Sequence, residues 1–526
     1  MKKLVILFAG EKPGFRYERK FDSLCAFEKT LEWAFSVEDS IKTVIFTNKE
    51  NFPFISECLP QKKEILLVQH EVWTNALVAK EIASQCAQNS ADFAVFAWAD
   101  SPFLNKELTD ELISSHVQYK AEYTFADGFA SGFAPEVIDR GAASIIASLA
   151  ENLQKSIGEK PASRNALFSI MSSDINSFEI ETVISDKDYR MLRYNFECSS
   201  KSGFTSCVRL FEEAKTQKKD FLTPDFNVYE ISDLAEKMPE IQQTLPAYYN
   251  VQISNSYNTK SLYCPYGKLF SGKKMPFMQL DEFKILVKKI ADFSAQATVG
   301  LSLFGEPTLN PEFVDFALEV LKYPELKLFI ETDGLCFSEE QAKKIAEASK
   351  NSGRVDFAVQ FDSVDEKMYE KMNGISGSNF QKALKTVAML SQIFPSHVYP
   401  QFTRMNANEE QLESFYRFWK EKTSPSGGQF VILKYDSCAG LLSDEKPADL
   451  SPLERNVCWH LRRDMNILSD GSVPLCRSRI SEIAGNAIEE PFEKIWDSVQ
   501  KEVLNHMNKN YCKKCQVCDE YYTFNF

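Results

Sequence analysis

Five of the thirteen cysteines in this chain crowd its C-terminal end: Cys458, Cys476 and the run Cys512-Lys-Lys-Cys515-Gln-Val-Cys518. Four thiolates converging on one point hold either a [4Fe–4S] cluster or a tetrahedral zinc ion, and two-residue spacings between cysteines suit both. Gly471 fits a tight turn that would bring Cys458 and Cys476 together. Five thiols for four positions leave one spare. The set expected as metal ligands is Cys458, Cys476, Cys515 and Cys518, with Cys512 as the alternative. From residues alone iron–sulfur and zinc both stand, beside a plainer reading in which the thiols are simply buried. The histidines (70, 116, 397, 460 and 506) form no metal-spacing pair. His460, two residues after Cys458, reads as a hydrogen-bond donor beside a ligand or as surface.

The rest of the chain must position these groups. Its 526 residues exceed what one core supports and predict two to four domains. Hydrophobic residues at 44% and charged residues at 25% are ordinary for a globular protein. A net charge of −14 argues against a nucleic-acid partner, because phosphate binding needs a basic face. The apolar run Leu4–Phe8 is short and passes into a charged Gly/Pro loop, so it reads as a first strand and not a signal peptide. No run of about 18 apolar residues exists, and no membrane span is expected. Cysteines without a paired framework fit a reducing cytoplasm, the expected location.

Residues 1–235 alternate strand and helix patterns, which predicts an α/β domain. Strands are expected at Leu4–Phe8, Thr43–Phe46, Ile65–Val68, Phe93–Trp98 and Tyr123–Phe125. Helices are expected near Phe21–Ser36, Trp73–Ala87, Lys106–His116 and Ala142–Leu153. Residues 160–240 read as irregular. A second α/β series fills 245–440, with strands at Tyr249–Ile253, Thr298–Phe304, Lys327–Glu331, Asp356–Phe361, Val398–Phe402 and Gln429–Lys434. Helices near Asp281–Gln296, Pro311–Lys322, Ser338–Ser349 and Glu409–Lys422 alternate with them. Six such strands predict a partial (β/α) barrel with functional groups at the strand C-terminal ends. Residues 441–526 form a short cysteine-bearing module.

The tail Val457-Cys-Trp-His460 … Asp470-Gly-Ser-Val-Pro-Leu-Cys476 … Gly485-Asn486 … Phe492-Glu-Lys-Ile-Trp496 … Cys515-Gln-Val-Cys518 resembles a SPASM domain. That resemblance implies iron–sulfur over zinc, and at most one [4Fe–4S] cluster. Phe304-Gly305-Glu306-Pro307, expected to close a barrel strand, resembles the Gly-Gly-Glu-Pro motif of radical S-adenosylmethionine (SAM) domains. It implies that Gly305, Glu306 and Pro307 contact SAM, with Glu306 accepting charge-assisted bonds from its amino group. The alternative is a strand-end turn with Glu306 solvated. Glu331-Thr-Asp-Gly334, Gln360-Phe-Asp362 and Arg404 end later strands, where the family places further SAM contacts. The family also needs a C-x₃-C-x₂-C loop after the first barrel strand. Aligning Cys264-Pro265 with its third position puts Tyr257 and Ser261 at the first two. Neither is an ordinary substitute for a thiolate on iron. Cys207 and Cys336 lie far off in sequence, so Cys264 is expected as a small buried residue.

The first domain resembles nucleotidyltransferase-like folds of the glycosyltransferase-A type through Leu7-Phe-Ala-Gly10 … Gly14-Phe-Arg16 … Lys20 and Asp100-Ser-Pro-Phe-Leu104. That implies Arg16 and Lys20 on nucleotide phosphates and Asp100 on Mg²⁺, with Asp127 a second carboxylate. Glu11 in the loop opposes phosphate binding. The whole order resembles the spiro-SPASM protein family, a name that implies architecture and no reaction. Two functions stay open. One is a non-radical iron–sulfur scaffold, binding or electron-transfer protein that takes a protein or peptide partner across the barrel mouth. The other is a modifying enzyme, using radical SAM chemistry through a non-standard cluster or nucleotidyl transfer by the first domain.

Overall fold

The computed structural model describes residues 1–522 except 13, 18, 22, 61–63, 158–160, 218–222, 272–274 and 351–352; at 155–157 it describes the backbone alone. Two compact units result, Met1–Ile241 and Gln242–Phe526.

The first unit is built on β1 (Lys3–Ala9), β2 (Ser40–Thr47), β3 (Ile65–Gln69), β4 (Phe93–Trp98), β5 (Tyr123–Asp127), β6 (Glu136–Asp139) and β7 (Ile180–Ile184). They form one sheet in the order β3-β2-β1-β4-β6-β5-β7. β6 runs antiparallel to both neighbours while the other pairings are parallel. Leu4–Ala9 and Phe93–Trp98 are buried throughout, as central strands covered on both faces must be. Expected helices appear at Ala26–Ser36, Asn75–Gln88, Lys106–Tyr119 and Arg140–Ile157. Thr74 and Asn105 start two of them by accepting the Leu77 and Leu108 amides. The stretch read as irregular contains β7 and a helix over Lys201–Thr216, which buries Cys207, Leu210, Phe211 and Ala214 along one face.

The second unit carries β8 (Tyr248–Val251), β9 (Ala297–Gly300), β10 (Leu326–Thr332), β11 (Val355–Gln360), β12 (Val398–Arg404), β13 (Val431–Lys434) and β14 (Asp464–Ile467). All pair in parallel, in the order β13-β12-β11-β10-β9-β8-β14. Six are the expected barrel strands. The seventh comes from the cysteine-bearing tail, which therefore extends the barrel sheet. Tail residues Met465, Ile467, Phe492, Ile495, Trp496 and Val503 share one core with barrel residues such as Tyr249, Val299 and Leu328. Helices at Leu280–Ser294, Phe313–Leu321, Glu339–Ser349 and Leu412–Trp419 match the expected positions, and a further one spans Asn379–Ile393. Expectation and structure differ at β9. It ends at Gly300, so Leu301–Phe304 is loop and Gly305 opens a turn away from any strand.

Among the described residues no helix is long and apolar enough to cross a membrane.

Candidate iron–sulfur site and barrel chamber

Three short elements deliver the tail cysteines. Cys458 precedes a one-turn helix at Trp459–Arg463, and Cys476 follows the strand Ser472–Pro474. Cys515 sits inside the helix Lys513–Val517, whose end Cys518 caps. Between the Cys458 and Cys476 segments the chain turns at Gly471 (φ +81°), where an added Cβ would meet Asn486 Oδ1 at 2.7 Å. Cys458, Cys476, Cys515 and Cys518 all line one cavity of about 150 Å³ inside the half-barrel. Cys512 is not on that wall; its thiol lies beside that of Cys515. Burial is the first cause raising each of the four wall thiols. Cys476 also acts through space on Cys458, Cys515 and Cys518, and Cys518 acts on Cys458, so the four form one electrostatic group. The donor set and its convergence fit a four-thiolate cluster.

Cations surround the group. Arg479 Nη1 lies 3.6 Å from Cys515 Sγ, and the same guanidinium binds Glu482 and Glu502. Arg455 Nη1 donates to the Cys518 carbonyl at 3.3 Å. His460, read from sequence as a donor or surface, is partly buried with Nδ1 2.6 Å from Asp464 Oδ2. The sequence reading missed a second cluster of ligand types. Glu502, His506 and Cys515 place ligand atoms within 4.8 Å of one another, and the four-residue spacing of Glu502 and His506 on a helix was its signal. Arg479 already supplies the cation there.

A second cavity, about 110 Å³, lies at the C-terminal ends of the barrel strands. Its wall includes Tyr257, Ser261, Cys264, Gly305, Glu306, Glu331, Asp333 and Gln360. Tyr257 hydrogen-bonds the Cys264 thiol and accepts from the Gly305 amide. Ser261 Oγ turns to Asn373 Oδ1 (3.2 Å) and Thr259 Oγ1 (3.3 Å). Cys264 is partly buried and lines the cavity, where the sequence suggested a plain core residue. Cys336, distant in sequence, is brought beside this loop: its Sγ accepts from Asn258 Nδ2 at 3.4 Å. It is exposed and off the cavity wall. Two thiols fall short of the three a SAM-cleaving cluster needs, so these residues do not fit that group.

Glu306 is buried, not solvated. Its Oε1 accepts from Thr308 N (3.1 Å), Thr308 Oγ1 (2.6 Å) and Thr332 Oγ1 (2.7 Å), while Oε2 accepts from Asp333 N (2.8 Å). Burial, and then the Asp333 charge, raises its carboxyl. Gly305 holds φ +86° above the Ser254 carbonyl and carries the turn. Pro307 is buried in a short 3₁₀ turn after Glu306. Asp362 (φ +61°) accepts from Thr403 N at 2.6 Å and Tyr263 Oη at 2.7 Å, and burial pushes its carboxyl up to about 6. Arg404 instead pairs with Glu409 outside the cavity. Arg477, Gln401 and Tyr263 also line the chamber and carried no sequence signal.

In the first unit Asp100 is fully buried between two arginines: Oδ2 lies 2.9 Å from Arg16 Nη1, and Oδ1 binds Arg164. Arg164 Nε also binds Glu197 at 3.0 Å, and Arg16 Nη1 binds Glu11 at 2.5 Å. With both oxygens held by guanidinium groups, Asp100 as placed does not fit a Mg²⁺ ligand. Lys20 is exposed in a two-residue strand (Lys20–Phe21), and Asp127 pairs with Arg190 at 3.0 Å. Neither joins Asp100.

Residues 258–418 match the radical SAM superfamily, and residues 458–519 match SPASM, an iron–sulfur cluster-binding domain. An uncharacterised protein of Treponema pallidum (strain Nichols) is 38% identical over 370 residues, which is 68% of this chain and 98% of that protein. A GTP 3′,8-cyclase of Pasteurella multocida (strain Pm70) is 28% identical over 130 residues, 24% of this chain and 36% of the cyclase. Among solved structures, Streptococcus suis SuiB bound to precursor peptide SuiA aligns with a TM-score of 0.40 and 13% identity, over 64% of this chain and 88% of SuiB.

Proposed function

This chain belongs to the radical SAM superfamily and carries a SPASM iron–sulfur domain, and we propose that it works as a non-radical iron–sulfur protein. Cys458, Cys476, Cys515 and Cys518 hold one [4Fe–4S] cluster, and the half-barrel is a binding chamber that does not cleave SAM. One observation carries the reading. Four thiols line the inner cavity, while among the described residues Cys264 alone brings a thiol to the wall of the cavity where a SAM-cleaving cluster belongs.

When bound, such a cluster supplies single-electron transfer. The protein's own residues set its surroundings. Arg479 and Arg455 put positive charge beside the thiolate positions, which favours the more negative, reduced state. Asp464 holds the His460 ring in place two residues beyond the first ligand. Tyr257 and Ser261 occupy thiolate positions with hydrogen-bonded oxygens, and Glu306 spends its acceptors on four protein donors. A SAM ammonium would have to displace some of them.

Anaerobic reconstitution, with iron and sulfide quantified and 5′-deoxyadenosine assayed in the presence of SAM and a reductant, tests this. About four irons per chain and no cleavage are expected. About eight irons with reductive cleavage would overturn the reading, as would zinc in place of iron.

A further inference from the structure

The two cavities of the second unit share a wall made of Tyr263, Ser302, Leu303, Glu331 and Arg477. Two opposite charges stand on it. Glu331, near the end of β10, receives Gln401 Nε2 at 3.1 Å and makes no ion pair among the described residues. It lies deep in the unit, yet its surface is cavity wall. Burial raises its carboxyl, and Arg477 opposes this only through space. Arg477 directly follows Cys476 and gives one donor to Asp436 Oδ2 at 2.9 Å, while its side chain keeps 38% of its surface open.

A buried charge is stable only when paired. Of the other acids on the two walls, Glu306 holds four donors and Asp436, Asp464 and Glu520 each have a cation, while Asp333 accepts from the Leu335 amide through Oδ1 and stands away from the wall the two cavities share. Glu331 has amide partners but no cation, and Arg477 has one carboxylate for a guanidinium with five donors. A simple amine would serve Glu331 and leave Arg477 as it is. A simple anion would meet Arg477 but be repelled by Glu331 and Asp436. A molecule carrying both an ammonium and a carboxylate satisfies both, and the loop-side cavity of about 110 Å³ limits it to a small one.

We propose that this shared wall binds a free α-amino acid, with its ammonium on Glu331 and its carboxylate on Arg477. The site rests on the reading above in one respect: the loop side is free because Tyr257, Ser261 and Cys264 hold no cluster.

The test is calorimetry on the reconstituted full chain with the proteinogenic L-α-amino acids one at a time. The amine and the acid that each lack one charged group of the best binder follow, and then SAM. At least one amino acid is expected to bind, and loss of either charged group to weaken binding about tenfold or more. Glu331→Gln and Arg477→Gln should each weaken it about tenfold or more, with iron content unchanged to show that the fold and tail site are intact. Absence of binding by every amino acid would overturn the proposal. So would an amine that binds as tightly as its parent amino acid, or binding of SAM alone that Glu306→Gln abolishes and Glu331→Gln leaves intact. Amino-acid binding by a preparation that takes up no iron supports this site and refutes the cluster reading alone.

Discussion

Gly305→Ala should destabilise the second unit by about 2–5 kcal/mol. Gly305 holds φ +86°, and an added Cβ would sit 2.4 Å from the Ser254 carbonyl oxygen and 2.8 Å from its carbon. A left-handed conformation costs a residue with a Cβ roughly 1–2 kcal/mol. Forcing a methyl group against packed backbone adds about 1–3 kcal/mol, since a carbonyl cannot swing aside like a side-chain tip. Native-state hydrogen exchange read by mass spectrometry is the suitable assay, because the first unit serves as an internal reference. Protected amides around β8, β9 and β10 should exchange on the order of 30-fold faster or more, with β1 and β4 unchanged. Gly267→Ala is the control, since a Cβ there meets nothing within 4 Å. If Gly305→Ala stays within about 0.5 kcal/mol of the parent chain, the turn that holds Glu306 is not the constrained element described above.

The ligand set predicts that Cys458→Ala/Cys476→Ala abolishes iron uptake while Cys512→Ser retains it, measured by iron quantification after reconstitution. Tyr257→Cys/Ser261→Cys supplies the two missing thiols beside Cys264 and should raise iron from about four to about eight per chain; unchanged iron would show that the loop cannot close on a cluster. Asp100→Ala removes the carboxylate that Arg16 and Arg164 share, leaving each with one acid, and should destabilise the first unit by about 3 kcal/mol in denaturant titration. Glu136, whose Oε1 accepts from Tyr123 Oη at 2.8 Å, has its carboxyl raised to about 7 by burial. Its folded value exceeds its unfolded one, so its contribution is full below about pH 4.5 and is lost as pH rises through 7. Relative to the parent, Glu136→Gln should therefore gain about 3 kcal/mol between pH 4.5 and pH 8, and a parallel pH dependence would refute the assignment.

The central strands were legible because continuous apolar runs such as Leu4–Phe8 and Phe93–Trp98 admit few other readings. The helix at Lys201–Thr216 was legible in principle, with Cys207, Leu210, Phe211 and Ala214 at helical spacing and Ser200 as its cap, but it stands in a segment whose strands are short and weakly patterned. β6 has only four residues and runs against its neighbours, which local periodicity does not report. The strand reading ran past Gly300 because Leu301, Leu303 and Phe304 are apolar; Leu301 joins the main core, while Leu303 and Phe304 pack around the chamber, not in a ladder. The tail cysteines were visible from composition and spacing. Their convergence with Glu331 and Arg477 was not, since it depends on parallel pairing between strands far apart in the chain. Asp100 was visible as a residue at the end of a strand, yet its chemistry was decided by Arg164, which no motif connects to it.

The pairing of β8 with β14 bears on how the molecule is made. Tyr248 lies opposite Asp464 and Val251 opposite Ile467, so the strand that leads into the cysteine-poor loop has an open edge until the last segment of the chain is synthesised. Throughout that interval β8 presents unpaired backbone groups on a growing parallel sheet, the situation in which nascent chains associate with one another. Contacts closed over so long a loop also form slowly. The barrel is thus completed from its far end, and a ribosome stalled or a message truncated near residue 440 would release a sheet with its first strand uncovered, marked for chaperones and proteases.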